Sequence, residues 1–123
     1  MSLRIFKRNQ IWWVDLEPAK GSEIKKKRPC VIVSTDGVKK LPVRIVVPLT
    51  DWNDTFVGSM FHVRVEVDDA DAFESAGLKK GGAADVMQIR CVSEDRFGDY
   101  IALMSAEKME EIAHAIAAIV EYA

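Results

Sequence analysis

Pro29-Cys-Val-Ile-Val-Ser34 is apolar on both of the faces that alternate along a strand. That pattern belongs to a strand enclosed by a barrel or covered by a partner. Upstream, Glu17-Pro-Ala-Lys-Gly-Ser-Glu-Ile-Lys-Lys-Lys-Arg28 is a long polar connection, opened by Pro18 and containing Gly21. Before it, Gln10 to Leu16 reads as a strand, with Trp12, Val14 and Leu16 on one face and Ile11, Trp13 and Asp15 on the other. Downstream, Asp36-Gly37 marks a turn, and Val43 to Val47 reads as a strand. Pro48 limits pairing, so Leu49 and Thr50 are expected at an edge, a bulge or a strand end. Asp51 to Ser59 is a polar loop around Trp52. Met60 to Val67 then alternates cleanly, Phe61, Val63, Val65 and Val67 against His62, Arg64 and Glu66, as a half-buried antiparallel strand does.

Residues 68–82 are acidic and then glycine-rich, with one short helical turn expected among them. Ala84 to Val92 and Tyr100 to Met104 supply two more strands. A helix follows over 105–122: Ser105 caps it, Glu107 suits its first turn, and Met109, Ile112, Ala113, Ile116, Val120 and Ala123 form one stripe. Five or six short strands and one amphipathic helix define a mostly β, largely antiparallel barrel closed by a C-terminal helix.

The chain has 123 residues, enough for a single domain over 1–123. With 49% hydrophobic and 29% charged residues it can bury a core, which excludes wholesale disorder. Cys30 and Cys91 sit in apolar runs without metal-site spacing, and are expected as two buried, reduced thiols of a cytosolic protein. The first eight residues carry charge without an apolar core behind them, so no signal peptide is expected. No apolar run approaches the roughly 18 residues of a membrane span. A soluble, cytoplasmic protein is the expectation. The net charge of −2 conceals an asymmetry: residues 1–50 carry +7 and residues 51–123 carry −9. A basic half attracts polyanions such as nucleic acid.

The stretch Trp12 to Glu23, then Arg28-Pro-Cys-Val-Ile-Val-Ser34, then Val46-Val-Pro-Leu-Thr50, resembles the MazF/PemK family of toxin endoribonucleases. The close resemblance covers residues 11–50; beyond it, Met87-Gln-Ile-Arg90 and the terminal helix also look similar. It implies an SH3-like antiparallel barrel, a homodimer, and sequence-specific cleavage of single-stranded RNA. It also implies silencing by a cognate MazE-like antitoxin; no cluster of His, Cys or carboxylates has metal-ligand spacing, so no metal and no cofactor are expected. A two-fold dimer is expected as well because strand 30–34 and Trp13 present more apolar surface than one small barrel covers.

Metal-free RNA cleavage uses the neighbouring 2′-hydroxyl as nucleophile, and needs a proton acceptor, donors for the charge growing on the phosphate, and a proton for the leaving 5′-oxygen. The chain's residues carry these roles alongside blander readings. Arg28 suits charge stabilisation, since a guanidinium stays protonated and matches two phosphate oxygens; the other reading is the end of a solvated Lys-Lys-Lys-Arg run. Thr50 is a backbone cap or, as the resemblance implies, the hydroxyl that works beside Arg28. Glu23 is a general base, an orienter of Arg28, or a loop residue; Ser22 is a phosphate contact or a loop residue.

Lys25, Lys26 and Lys27 replace the small residues that many family members carry here, which makes the loop more attractive to phosphate. Gln88 is an RNA contact by resemblance. Asp85, Val86 and Met87 precede it where one branch places an Arg and an Asp, so the Arg28/Thr50 chemistry fits better than an Arg/Asp one. Trp52 stacks on a base or covers the barrel, and Trp13 is a second such candidate. His62 and His114 are expected on polar surfaces, and Lys79-Lys-Gly-Gly82 as a solvated turn. Two other functions share the architecture: a CcdB-like gyrase poison and a non-catalytic RNA-binding domain.

Overall fold

Seven strands, three short 3-10 turns and one helix make up the computed structural model, which describes residues 4–38, 40–66 and 81–122. The strands are β1 (Gln10–Asp15), β2 (Lys27–Ile32), β3 (Val43–Asp51), β4 (His62–Val65), β5 (Gly82–Asp85), β6 (Arg90–Ser93) and β7 (Phe97–Leu103), and the helix is α1 (Ala106–Ile119). All ladders are antiparallel, in the order β4-β5-β3-β2-β1-β7, with β6 also on β3. The end strands β4 and β7 are not laddered to each other among the described residues. Val67 and the expected turn after it, with Lys79 and Lys80, lie outside the described residues; Gly81 and Gly82, expected in a solvated turn, are buried instead, Gly82 as the first residue of β5.

The run expected as one strand over 84–92 is two. A 3-10 turn at Val86–Gln88 separates β5 from β6, and both strands pair with β3. β3 runs on past the expected Val43 to Val47: Pro48 pairs with Cys30 of β2 and the strand continues to Asp51, which puts Leu49 and Thr50 at its end as expected. Proline is tolerated here because β3's other edge changes partner at this step, from β6 (through Val46) to β5 (from Leu49).

Each face of the sheet has its own core. On one face Ile11, Val31, Val47, Leu49, Val65, Ala84, Ala102 and Met104 pack with Met109 and Ile112 of α1. On the other, Trp12, Val14, Leu16, Cys30, Ile32, Val46, Val92 and Phe97 cluster under Phe6 and Ile24. The chain itself therefore covers both faces of the doubly apolar strand.

Ser105 caps α1 by accepting from the Lys108 N–H at 3.2 Å. The apolar stripe ends earlier than its periodicity implied: Ile116 still packs on the core, while Val120 has left the helical path and is 67% exposed. Cys30 is buried but Cys91 is exposed, because it sits with Ile45 on the helix-side face where the core no longer reaches. Phe61 also departs from its expected burial, at 40% exposed, since it precedes β4 rather than lying in it.

Ile112 is fully buried between helix and sheet. Ile112→Ala should lose about 2–5 kcal/mol of unfolding free energy in a urea titration; a loss under about 1 kcal/mol would show that α1 is not packed there.

Candidate functional site

The second core, on the face away from α1, runs out of apolar residues at the start of β2 and the end of β3. Cys30 pairs with Pro48, and the same register continued two residues further sets Arg28 opposite Thr50. Directly opposed side chains in an antiparallel pair share a face and stand about 5 Å apart at Cβ. Arg28 is partly buried, and its Nε donates to the Lys25 carbonyl at 3.3 Å, which directs the guanidinium along the 22–27 loop. Among the described residues Arg28 forms no ion pair. Burial raises the Cys30 thiol above its ordinary range, against the opposing pull of Arg90 and then Arg28, so both guanidiniums sit near this strand.

Arg90 was not expected. It lies on β6 opposite Val46, two residues before the buried Val92, and donates to the Leu16 carbonyl at 3.2 Å. A basic residue at an inward-facing position of an alternating strand was the signal for it.

A groove of about 420 Å³ is lined by residues that include Ser22, Glu23, Pro48, Met87, Gln88 and Arg90; Arg28 and Thr50 are not among its lining residues. Its wall is the β1–β2 loop, and Gln88 holds that wall in place. The Gln88 amide accepts from the Ile24 N–H at 3.1 Å and donates to the Ser22 carbonyl at 3.0 Å. Both ends of the side chain expected to meet RNA are thus engaged on backbone.

Glu23 closes a turn, its Oε1 accepting from the Lys20 N–H at 2.6 Å, and Gly21 takes the φ of +57° which that turn requires. Lys26, at φ 72°, is held by Glu17 Oε1 and by the Leu16 N–H, leaving its side chain exposed. Lys25 is exposed too, as is Lys27, which pairs with Asp15.

Trp52 stands apart from this groove, past the end of β3. Its Nε1–H donates to Asp54 at 3.1 Å, its ring meets Phe56 edge-on at 5.7 Å, and the Arg64 guanidinium carbon lies 4.3 Å from its ring centre. His62 is not on an open polar face, because Phe56 stacks on it at 3.8 Å. Its Nδ1 lies 2.9 Å from Ser59 Oγ, and its Nε2 lies 3.8 Å from Asp85 Oδ2. His114 is exposed on α1, and Trp13 is partly buried, with its Cβ beside Gly98.

Fold and groove together define a small antiparallel β protein with a guanidinium and a hydroxyl on one face, beside a wall of exposed cations. The model of the PemK-like, MazF-like toxins of type II toxin–antitoxin systems matches residues 7–120, and the chain belongs to that family. It is 29% identical over 118 residues to endoribonuclease MazF9 of Mycobacterium tuberculosis, covering 91% of this chain and 93% of that one. To endoribonuclease MazF of Staphylococcus epidermidis it is 30% identical over 114 residues, covering 91% and 88%. Among solved structures, a mycobacterial endoribonuclease in complex with its cognate antitoxin superposes with a TM-score of 0.74 at 20% identity, covering 97% and 98%. MazF from Deinococcus radiodurans gives 0.72 at 18%, covering 96% and 98%. No helix among the described residues is long and apolar enough to cross a membrane.

Burial raises the Asp85 carboxyl above its ordinary range, against the lowering pull of His62 and of the Gln88 backbone. The folded state therefore holds this proton more tightly than the unfolded chain does. Stability should fall as pH rises from the ordinary aspartate value through the raised one. Asp85→Asn should flatten that limb of a stability–pH curve; an unchanged slope would mean that Asp85 does not carry it.

Proposed function

We propose that this MazF-type toxin is an endoribonuclease that cuts single-stranded RNA at specific sequences, with Arg28 and Thr50 acting on the scissile phosphate, and is neutralised by a cognate antitoxin. The observation that supports the reading is the β2–β3 register, which, continued past Cys30 and Pro48, brings an arginine without an ion pair among the described residues opposite a threonine hydroxyl. The endoribonuclease relatives, aligned over nine-tenths of the chain, support it.

In this reading the 2′-oxygen attacks the adjacent phosphorus, the bond from phosphorus to the 5′-oxygen breaks, and the products are a 2′,3′-cyclic phosphate and a 5′-hydroxyl. Arg28 neutralises charge on the non-bridging oxygens and Thr50 donates a hydrogen bond to them. Glu23 takes the 2′ proton with the carboxylate oxygen that Lys20 leaves free, and the leaving 5′-oxygen takes its proton from water. Ser22 and Lys25–Lys27 bind flanking phosphates, Trp52 stacks on a base, and Gln88 acts through the loop it holds. A gyrase poison would have no use for a phosphate-directed pair at this register.

Long single-stranded RNA incubated with the protein in EDTA should be cut, with cyclic phosphate ends. Arg28→Ala should lose about 10²–10³-fold in single-turnover rate at saturating RNA, and Thr50→Ala should also cut slowly while staying folded. A near wild-type rate for folded Arg28→Ala would remove Arg28 from the chemistry.

The exposed basic run at 25–27 fits an acidic antitoxin segment that orders on the groove. Antitoxin and RNA should therefore compete in the cytoplasm where both are found. Saturating antitoxin should abolish RNA binding in a fluorescence anisotropy titration, and light scattering on the free toxin should read a two-fold homodimer. RNA affinity unchanged by antitoxin would place its contact elsewhere.

A further inference from the structure

Thr50 pairs with Ala83 of β5, and Ala83 pairs with Arg64 of β4. Together with Arg28 opposite Thr50, this makes one row across four strands, Arg28, Thr50, Ala83, Arg64, with all four side chains on the face away from α1. Three interstrand steps of about 4.8 Å put the two arginines at most about 14 Å apart at the backbone, and Ala83, fully buried, stands between Thr50 and Arg64. Trp52 follows Thr50 by two residues, and the Arg64 guanidinium lies over its ring.

We infer that Arg64 and Trp52 form a second nucleotide subsite, so that the RNA strand crosses β2, β3, β5 and β4 instead of following one of them. Arg64 holds a phosphate beyond the cut, and Trp52 stacks on the base next to it. This rests on the ribonuclease reading above.

The subsite is ordered before RNA arrives. Asp54 fixes the indole N–H, Phe56 meets the ring edge-on, and Arg64 lies over one face of it, so little freedom is lost on binding. Glu66 lies 3.1 Å from Arg64 Nε, with its side chain 57% exposed. Such a pair is weak in water, and a guanidinium has further N–H groups to offer a phosphate. The rival reading is purely structural: Arg64 on Trp52 merely closes the loop after β3.

The two readings separate by substrate length. The probes are RNA oligonucleotides centred on a cut mapped for the wild type, either extended on both sides or trimmed to one nucleotide on one side. Single-turnover cleavage gives the half-saturating concentration and the maximal rate for each. On the extended RNA, Arg64→Ala should raise half-saturation about tenfold with the maximal rate unchanged. Trimming one particular side should cost the wild type a similar factor, and on that RNA Arg64→Ala should add nothing.

Arg64→Lys keeps the charge without the planar fork, and should show a smaller rise with the same dependence on that side. It carries the comparison if the alanine variant does not fold. An equal rise on every RNA, or none on any, overturns the subsite while leaving the ribonuclease reading intact. RNA that the wild type itself leaves uncut removes both.

Discussion

Between Val46 and Leu49, one edge of β3 changes its partner. The β6 ladder stops at Val46 opposite Arg90, the β5 ladder starts at Leu49 opposite Ala84, and the residues between them on the other chain segment leave the sheet as a 3-10 turn. Pro48 sits at this step with no N–H to offer, so the gap leaves one fewer donor unsatisfied than any other residue would. The groove follows from the gap. The turn that leaves the sheet carries Met87 and Gln88 to the groove wall, and Arg90, the first residue back in the sheet, reaches the Leu16 carbonyl. On its opposite edge β3 stays paired with β2 as far as Pro48, opposite Cys30, so Arg28 and Thr50 lie just past the last pair of that ladder.

The same step fixes the long polar loop. Gln88 holds Ser22 and Ile24, Arg90 holds Leu16, and Arg96 donates to the carbonyls of Asp15 and Glu17. Ile24 packs against the second core. A connection of this length between two strands would otherwise be mobile, and a mobile wall would set its phosphate-directed side chains at random distances from the cut. Anchoring by backbone hydrogen bonds leaves the side chains of Lys25 and Lys26 exposed, which suits long-range attraction of a polyanion more than fixed contacts.

The strands of the first half, the helix and its Ser105 cap were legible because each rests on a local pattern: alternation, turn residues, a capping hydroxyl. The Arg28–Thr50 opposition was legible only through resemblance, since no spacing in a single chain states a cross-strand register. Gln88 was read as a free RNA contact because the partners of an amide lie 64 and 66 residues away, at Ile24 and Ser22. His62 was read from strand alternation as a surface residue, and alternation cannot see Phe56 folding over from the preceding loop. Cys91 and Val120 erred in the opposite sense: apolar surroundings in sequence do not reveal where a fourteen-residue helix stops covering a sheet.

The charge asymmetry between the two halves of the sequence does not carry over into the fold as a division between halves. Arg64 and Arg90 belong to the acidic half, yet register places both on the face that holds Arg28. The exposed carboxylates of Glu107, Glu110 and Glu111 are carried on α1, and α1 is packed on the other face. A net charge of −2 would repel a polyanion if it were spread evenly. With Arg28, Arg64 and Arg90 on one face and the carboxylates of α1 on the other, a polyanion such as the proposed RNA substrate would be drawn first to the arginine side. Salt should weaken that orientation first, because it acts through the screened distances that contacts within the groove do not span.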